Sequence, residues 1–149
     1  MRNMVWISGS LGLVLLAGCG GQNSTYVKNG EIKKTLNQEA IKANYIETIG
    51  IGAADATLNN TTQRRATSRD AAVVQAQYEM LSIVKGVELE GGITVEKAME
   101  TDSKLETNIK ETIKSAQVVK TEWTSDDGCV VTLQLDKKRL ESQMGVKFK

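Results

Sequence analysis

The sequence predicts an α+β domain: an antiparallel or mixed sheet of about four strands with two helices packed on one face, in the order β-α-β-α-β-β. Two observations predict it. Residues 59–85 carry apolar side chains at helical spacing between a plausible cap and a glycine. Residues 118–135 split into two alternating arms around Asp127-Gly128, the pattern of a hairpin. Ahead of both, an apolar leader ends at Leu16-Ala17-Gly18-Cys19.

The leader opens on Met1-Arg2-Asn3, a short positive start, and continues as an apolar run from Val5 to Leu16 broken by Ser8, Gly9, Ser10 and Gly12. That is a secretory signal peptide. It is too short to cross a bilayer as a helix, which takes ~20 apolar residues. Leu16-Ala17-Gly18-Cys19 resembles the bacterial lipobox. The resemblance implies that Cys19 is diacylated on sulfur, becomes the new N-terminus and is then acylated on nitrogen, with palmitate-type chains. Each buried CH₂ contributes ~0.8 kcal/mol, so one chain binds reversibly and two or three anchor stably. Residues 1–18 are thus expected to be a lipoprotein signal peptide, residues 19–44 the lipidated Cys19 and a flexible tether, and residues 45–149 the α+β domain.

Composition narrows the function. Arg2 is the one charge of the leader, so residues 19–149 carry equal numbers of positive and negative side chains. A nucleic-acid binder needs a basic footprint, which is absent. The chain has no His, which removes the usual general base and the commonest transition-metal ligand. With Cys19 lipidated, Cys129 has no partner for an intramolecular disulfide and fits best as a small buried apolar group.

Along the chain, residues 20–30 are polar and rich in Gly, Asn and Ser, as a tether is. Ile32, Leu36 and Ala40 are spaced for a short helix over residues 31–42. Residues 45–53 form the first strand, with Ile49 and Ile51 on one face and Gly50 and Gly52 on the other. Strand glycines mark the close approach of another backbone. The Gly-x-Gly is not a dinucleotide fingerprint, because no third Gly follows.

The main helix begins after Asn60, whose cap is supported by Gln63, and stops at Gly86 with Lys85 in its last turn. Ala66, Ala72, Val73, Ala76, Met80, Leu81, Ile83 and Val84 share one side. The small residues come first, so the helix is expected to approach the sheet closely at Ala72 and Ala76. Arg64, Arg65 and Arg69 gather in the early turns. They fit a solvated charged face. They are also the chain's one candidate binding cluster, for phosphate or carboxylate.

Residues 87–99 alternate on either side of Gly91-Gly92. One long strand bent at a glycine bulge is expected, with a Gly-Gly hairpin as the alternative. Residues 101–116 form the second helix. Ser103 and Glu106 make a capping box, Glu106 and Lys110 an i,i+4 pair, and Leu105, Ile109, Ile113 and Ala116 a narrow apolar stripe.

In the hairpin, Val119, Thr121 and Trp123 share one face of the first arm, and Cys129, Val131, Leu133 and Leu135 one face of the second. A three-residue loop, Asp126-Asp127-Gly128, brings the two sets together. It pairs Trp123 with Val131 and Thr121 with Leu133, with Gly128 left-handed. The opposite face is polar, so the helices belong on the apolar one. Residues 136–149 offer a short helix through Leu140 and Met144 that stops at Gly145. Phe148 then falls in a basic tail, expected as a loose terminus, with docking on the domain or on a partner as the alternative.

IETIGIGAAD, then QRRATSRDAAVVQAQYEMLSIVKGV, then IKSAQVVKTEWTSDDGCVVTLQLDKKRL resemble the Lpp-twenty family of bacterial outer-membrane lipoproteins over residues 45–145. They are also similar to the N-terminal part of a flagellar assembly protein of the T ring. The resemblance implies an α+β domain at the outer membrane with no catalytic residues to carry over. Gly20 after the lipid Cys fits export to the outer membrane.

The expected function is a lipid-anchored structural or protein-interaction role in the cell envelope, on the periplasmic face or the cell surface, surface- or flagellum-associated. The expected partners are the membrane, through the acyl chains, and an envelope protein. Nucleic acid is not among them, and an open hairpin edge leaves room for an oligomer. A binding module for a small ligand or peptidoglycan is the alternative. No enzyme is expected, no metal, and no cofactor beyond the lipid on Cys19. The paired carboxylates Glu88 with Glu90 and Asp126 with Asp127 lack the buried setting that raises a pKa.

Overall fold

A computed structural model describes residues 41–149. The expected signal peptide, Leu16, Ala17, Gly18, Cys19, nearly all of the expected tether and all but the last two residues of the short helix expected over residues 31–42 lie outside the described residues; Ile41 forms a bridge to Ile46 instead of a helical turn.

The chain runs β1 (Tyr45–Gly52), α1 (Thr61–Lys85), α2 (Val95–Thr101), α3 (Ser103–Lys114), β2 (Gln117–Trp123), β3 (Cys129–Asp136) and α4 (Lys137–Met144). The fold is α+β. Its three strands form an antiparallel sheet in the order β1-β3-β2, so the last strand lies in the middle.

One face of this sheet makes the core. Ile46 of β1 and Cys129, Val131, Leu133 and Leu135 of β3 alternate onto it and pack against Ala72, Ala76, Met80 and Val84 of α1. Those four positions follow a strict i+4 spacing, which keeps them on one stripe of the helix. Ala66, placed on that stripe by the sequence, is exposed: two positions before buried Ser68, it lies about 200° around the helix, on the side away from the sheet.

Small residues set the distance between helix and sheet. A Cβ added to Gly50 would lie 1.9 Å from the Ala72 carbonyl oxygen, and one added to Gly52 would lie 1.8 Å from that of Ser68. Thr48 joins the contact by donating its hydroxyl to the Ala76 carbonyl at 2.8 Å. The two glycines are therefore there for space, as the alternation of β1 predicts. Asn60 caps α1, accepting from the backbone N–H groups of Thr62 and Gln63. Gly86 closes the helix at φ −76°, so no left-handed residue is used there.

The expected strand over residues 87–99 does not form. Gly91 and Gly92 both take positive φ, at 122° and 80°, and turn the chain so that Leu89 N–H meets the Ile93 carbonyl at 2.9 Å. A single antiparallel bridge, Glu88 to Thr94, is what remains of the hairpin alternative. Thr94 then caps α2, and Val95, Ala98 and Met99 are buried at i, i+3, i+4. This helical triple outweighed the alternation that suggested a strand. In α3 the cap is Asp102 rather than Ser103, accepting from Lys104 and Leu105 N–H. Ile109 and Ile113 are buried as expected, and Lys110 pairs with Glu106 at 2.6 Å.

The β2–β3 hairpin is slipped by two residues from the expected register. Trp123 faces Cys129 and Thr121 faces Val131. A two-residue slip preserves side-chain parity, so the apolar sets still share a face. Residues 124–128 connect the strands, closed by Thr124 N–H to the Gly128 carbonyl at 2.9 Å. Asp127, not Gly128, is the left-handed residue, at φ 64°. Gly128 is needed for space instead: a Cβ there would lie 2.6 Å from Thr124 Oγ1. A bulge at Val119 breaks the pairing of β2 and leaves that side chain 48% exposed rather than in the core.

The C-terminal tail is docked, contrary to the expected loose end. Gly145 ends α4 in the left-handed conformation at φ 71°. Phe148 is then buried and bridges to Leu89, while Lys149 N–H donates to the Glu88 carbonyl and Glu90 N–H to that of Lys147, each at 2.9 Å. Edge pairing with residues 88–90 satisfies the tail's backbone, which a solvated terminus does not need.

Candidate functional site

The arginines singled out in the sequence stand at the start of α1, beneath the β2–β3 turn. The helix supplies Arg64 and Arg65 from adjacent positions, and the turn supplies Asp127. Arg64 donates through Nε and Nη2 to Asp127 Oδ2 at 3.0 and 2.7 Å, and Arg65 through Nε to Oδ1 at 2.8 Å. Such two-sided charge-assisted bonds are strong and directional. Arg64 also donates through Nη1 to the Leu58 carbonyl at 3.1 Å, tying in the loop after β1. Ser68, one turn further on, donates its hydroxyl to the Asp127 carbonyl at 2.8 Å. The Arg65 guanidinium lies 5.4 Å from the centroid of the Trp123 ring.

Together these contacts hold Asp127 in its left-handed turn. The hydrogen bonds from Arg64, then those from Arg65, hold its carboxyl below the usual carboxylate range. Arg64 and Arg65 thus form a carboxylate site, and the chain's own Asp127 fills it. An external phosphate would have to displace that side chain. Arg69 is not drawn in: it is exposed and makes no hydrogen bond or ion pair among the described residues.

Cys129, next along β3, is fully buried, and loss of hydration pushes its thiol up to about 11. It is a packed apolar group, as its place in the strand predicts. The other paired carboxylates also act as acceptors. Glu88 pairs with Lys149 at 3.1 Å. Asp126 accepts from the Thr124 hydroxyl, which lowers its pKa. Every carboxylate shift resolved among the described residues is downward, at Asp55, Glu100, Glu106, Asp126 and Asp127, so these groups are anions at neutral pH. Among the described residues no group of three or more His, Cys, Asp or Glu is placed to hold a metal ion. No described helix is long and apolar enough to cross a membrane.

One surface cleft was not legible in the sequence. Asn44, Tyr45, Ser115, Gln117, Gln134, Asp136 and Arg139 line a polar depression of about 320 Å³ where the starts of β1 and β2 and the end of β3 meet α4. Its residues come from four separate segments, so no spacing announces it.

No family model, curated protein or solved structure matches the chain.

Proposed function

We propose that this protein is a membrane-anchored lipoprotein, related to the Lpp-twenty family, with a structural or protein-interaction role in the bacterial envelope. The observation that carries the reading is Leu16-Ala17-Gly18-Cys19 at the end of a charged-then-apolar leader. Lipid on Cys19 holds the chain at the outer membrane, and residues 19–44 separate the bilayer from the domain. In this reading the domain presents surface rather than chemistry. Arg64 and Arg65 support that, because both guanidinium groups bind Asp127 of the same chain. Mass spectrometry of the protein from cells tests the reading. The expected product starts at Cys19 and carries two or three acyl chains; a retained leader or a bare thiol at Cys19 overturns it.

The polar cleft favours a second reading, a module that binds glycan in the cell wall. Its amides and hydroxyls, with Asp136 and Arg139 beside them, suit a hydrogen-bonding ligand with charged groups such as peptidoglycan. Retention of the protein on purified cell wall, lost in Gln134→Ala, is the expected outcome for that reading.

A further inference from the structure

The sheet ends at β2 on one side, and the main contacts of β2 among the described residues are with β3. The ladder fixes which of its backbone groups are free. Thr124 N–H bonds the Gly128 carbonyl, and the register continues as Glu122 opposite Val130 and Lys120 opposite Thr132. Hydrogen-bonded pairs alternate along an antiparallel ladder. Residues 120, 122 and 124 therefore turn their N–H and C=O toward β3, and Thr121 and Trp123 turn theirs outward. This is an open edge, and such edges recruit further strands.

The side chains beside that edge are self-complementary. Lys120 and Glu122 flank Thr121 and already pair with each other at 2.8 Å within the chain. A two-fold axis through Thr121 would set Thr121 opposite Thr121 of a second copy, with both outward backbone groups bonded. Lys120 would then face Glu122 of the second copy at the adjoining non-hydrogen-bonded positions, where cross-strand side chains come closest. Val119, 48% exposed, would face Trp123 of the second copy. The helix layer leaves room, since α1 lies over β1 and β3. The opposite edge lacks this match: β1 carries one charge, Glu47.

From this geometry we infer that β2 is a homodimerisation edge. A second copy pairs antiparallel through residues 119–123, about a two-fold axis at Thr121, to make one continuous six-stranded sheet. The pairing does not depend on the membrane anchor.

Cross-linking of the full-length chain tests it. Thr121→Cys is treated with a short bismaleimide, with Tyr78→Cys, on the exposed side of α1, as the control. The expected product has twice the chain mass and forms about tenfold more readily from the Thr121 variant, because cross-strand Cβ atoms lie about 5 Å apart. Lys120→Glu or Glu122→Lys alone should lower that yield about tenfold, since like charges then oppose each other at both symmetry-related positions. The double exchange should restore it. Differently tagged Lys120→Cys and Glu122→Cys chains, expressed together, should link to each other more than to themselves, which checks the register without a charge reversal. Equal yields from Thr121→Cys and Tyr78→Cys, single exchanges without effect, or an adduct of another mass would overturn the inference.

Discussion

Gly50 sits so close to Ala72 that a methyl group on its Cα would lie 1.9 Å from the Ala72 carbonyl oxygen. Strand and helix meet backbone to backbone here, so neither can give way by turning a side chain. Gly50→Ala is expected to destabilise the domain by about 3 kcal/mol, at the upper end for overpacking. Gly86→Ala is the contrast. Its nearest neighbour would be 3.6 Å away and its φ is negative, so it should stabilise by about 0.5 kcal/mol. Urea denaturation of both variants measures the difference.

Asp127 predicts a pH dependence. Its folded pKa is depressed by Arg64 and Arg65, so the stability it contributes is fully present above the unfolded carboxyl value, about 3.9. That contribution is lost as pH falls through the lower folded value. Asn tolerates the left-handed backbone, so Asp127→Asn removes the charge without straining the turn. The melting temperature of the wild type should exceed that of Asp127→Asn at neutral pH, and the gap should close in acid. A gap that persists well below pH 3, or none at pH 7, would contradict the assignment.

Cys129 predicts a silent thiol. It is fully buried, with its pKa pushed up to about 11, so a maleimide should not modify it in the native protein at pH 7. Labelling should appear only in denaturant. With Cys19 acylated, one thiol should then react; two reactive thiols would count against lipidation.

Phe148 predicts that the C-terminus is part of the fold. It is buried against the core, and its backbone N–H donates to Glu141 Oε1 at 3.1 Å. Phe148→Ala should cost about 3 kcal/mol, the low end for a buried Phe. A loss below about 0.5 kcal/mol, typical of surface changes, would mean that the tail is detached.

How far the sequence reached depended on the range of the interaction. Asn60 as a cap, the stripe from Ala72 to Val84 and the small residues facing Gly50 were legible, because each is a local pattern with one physical solution. The helix at Val95–Thr101 was missed because Val87, Leu89, Ile93 and Val95 alternate up to its first turn, while Val95, Ala98 and Met99 suit a helix; seven residues do not separate the two periods. The hairpin parity was legible, but its register was not, since a slip of two keeps every side chain on its own face.

Hydrophobic spacing alone determined that this is an α+β domain and which side of α1 and β3 turns inward, because burial direction follows from residue period. Only packing in three dimensions decided that Arg64 and Arg65 close on Asp127, that Phe148 docks beside Leu89, and that β3 lies between β1 and β2. Those contacts join residues tens of positions apart.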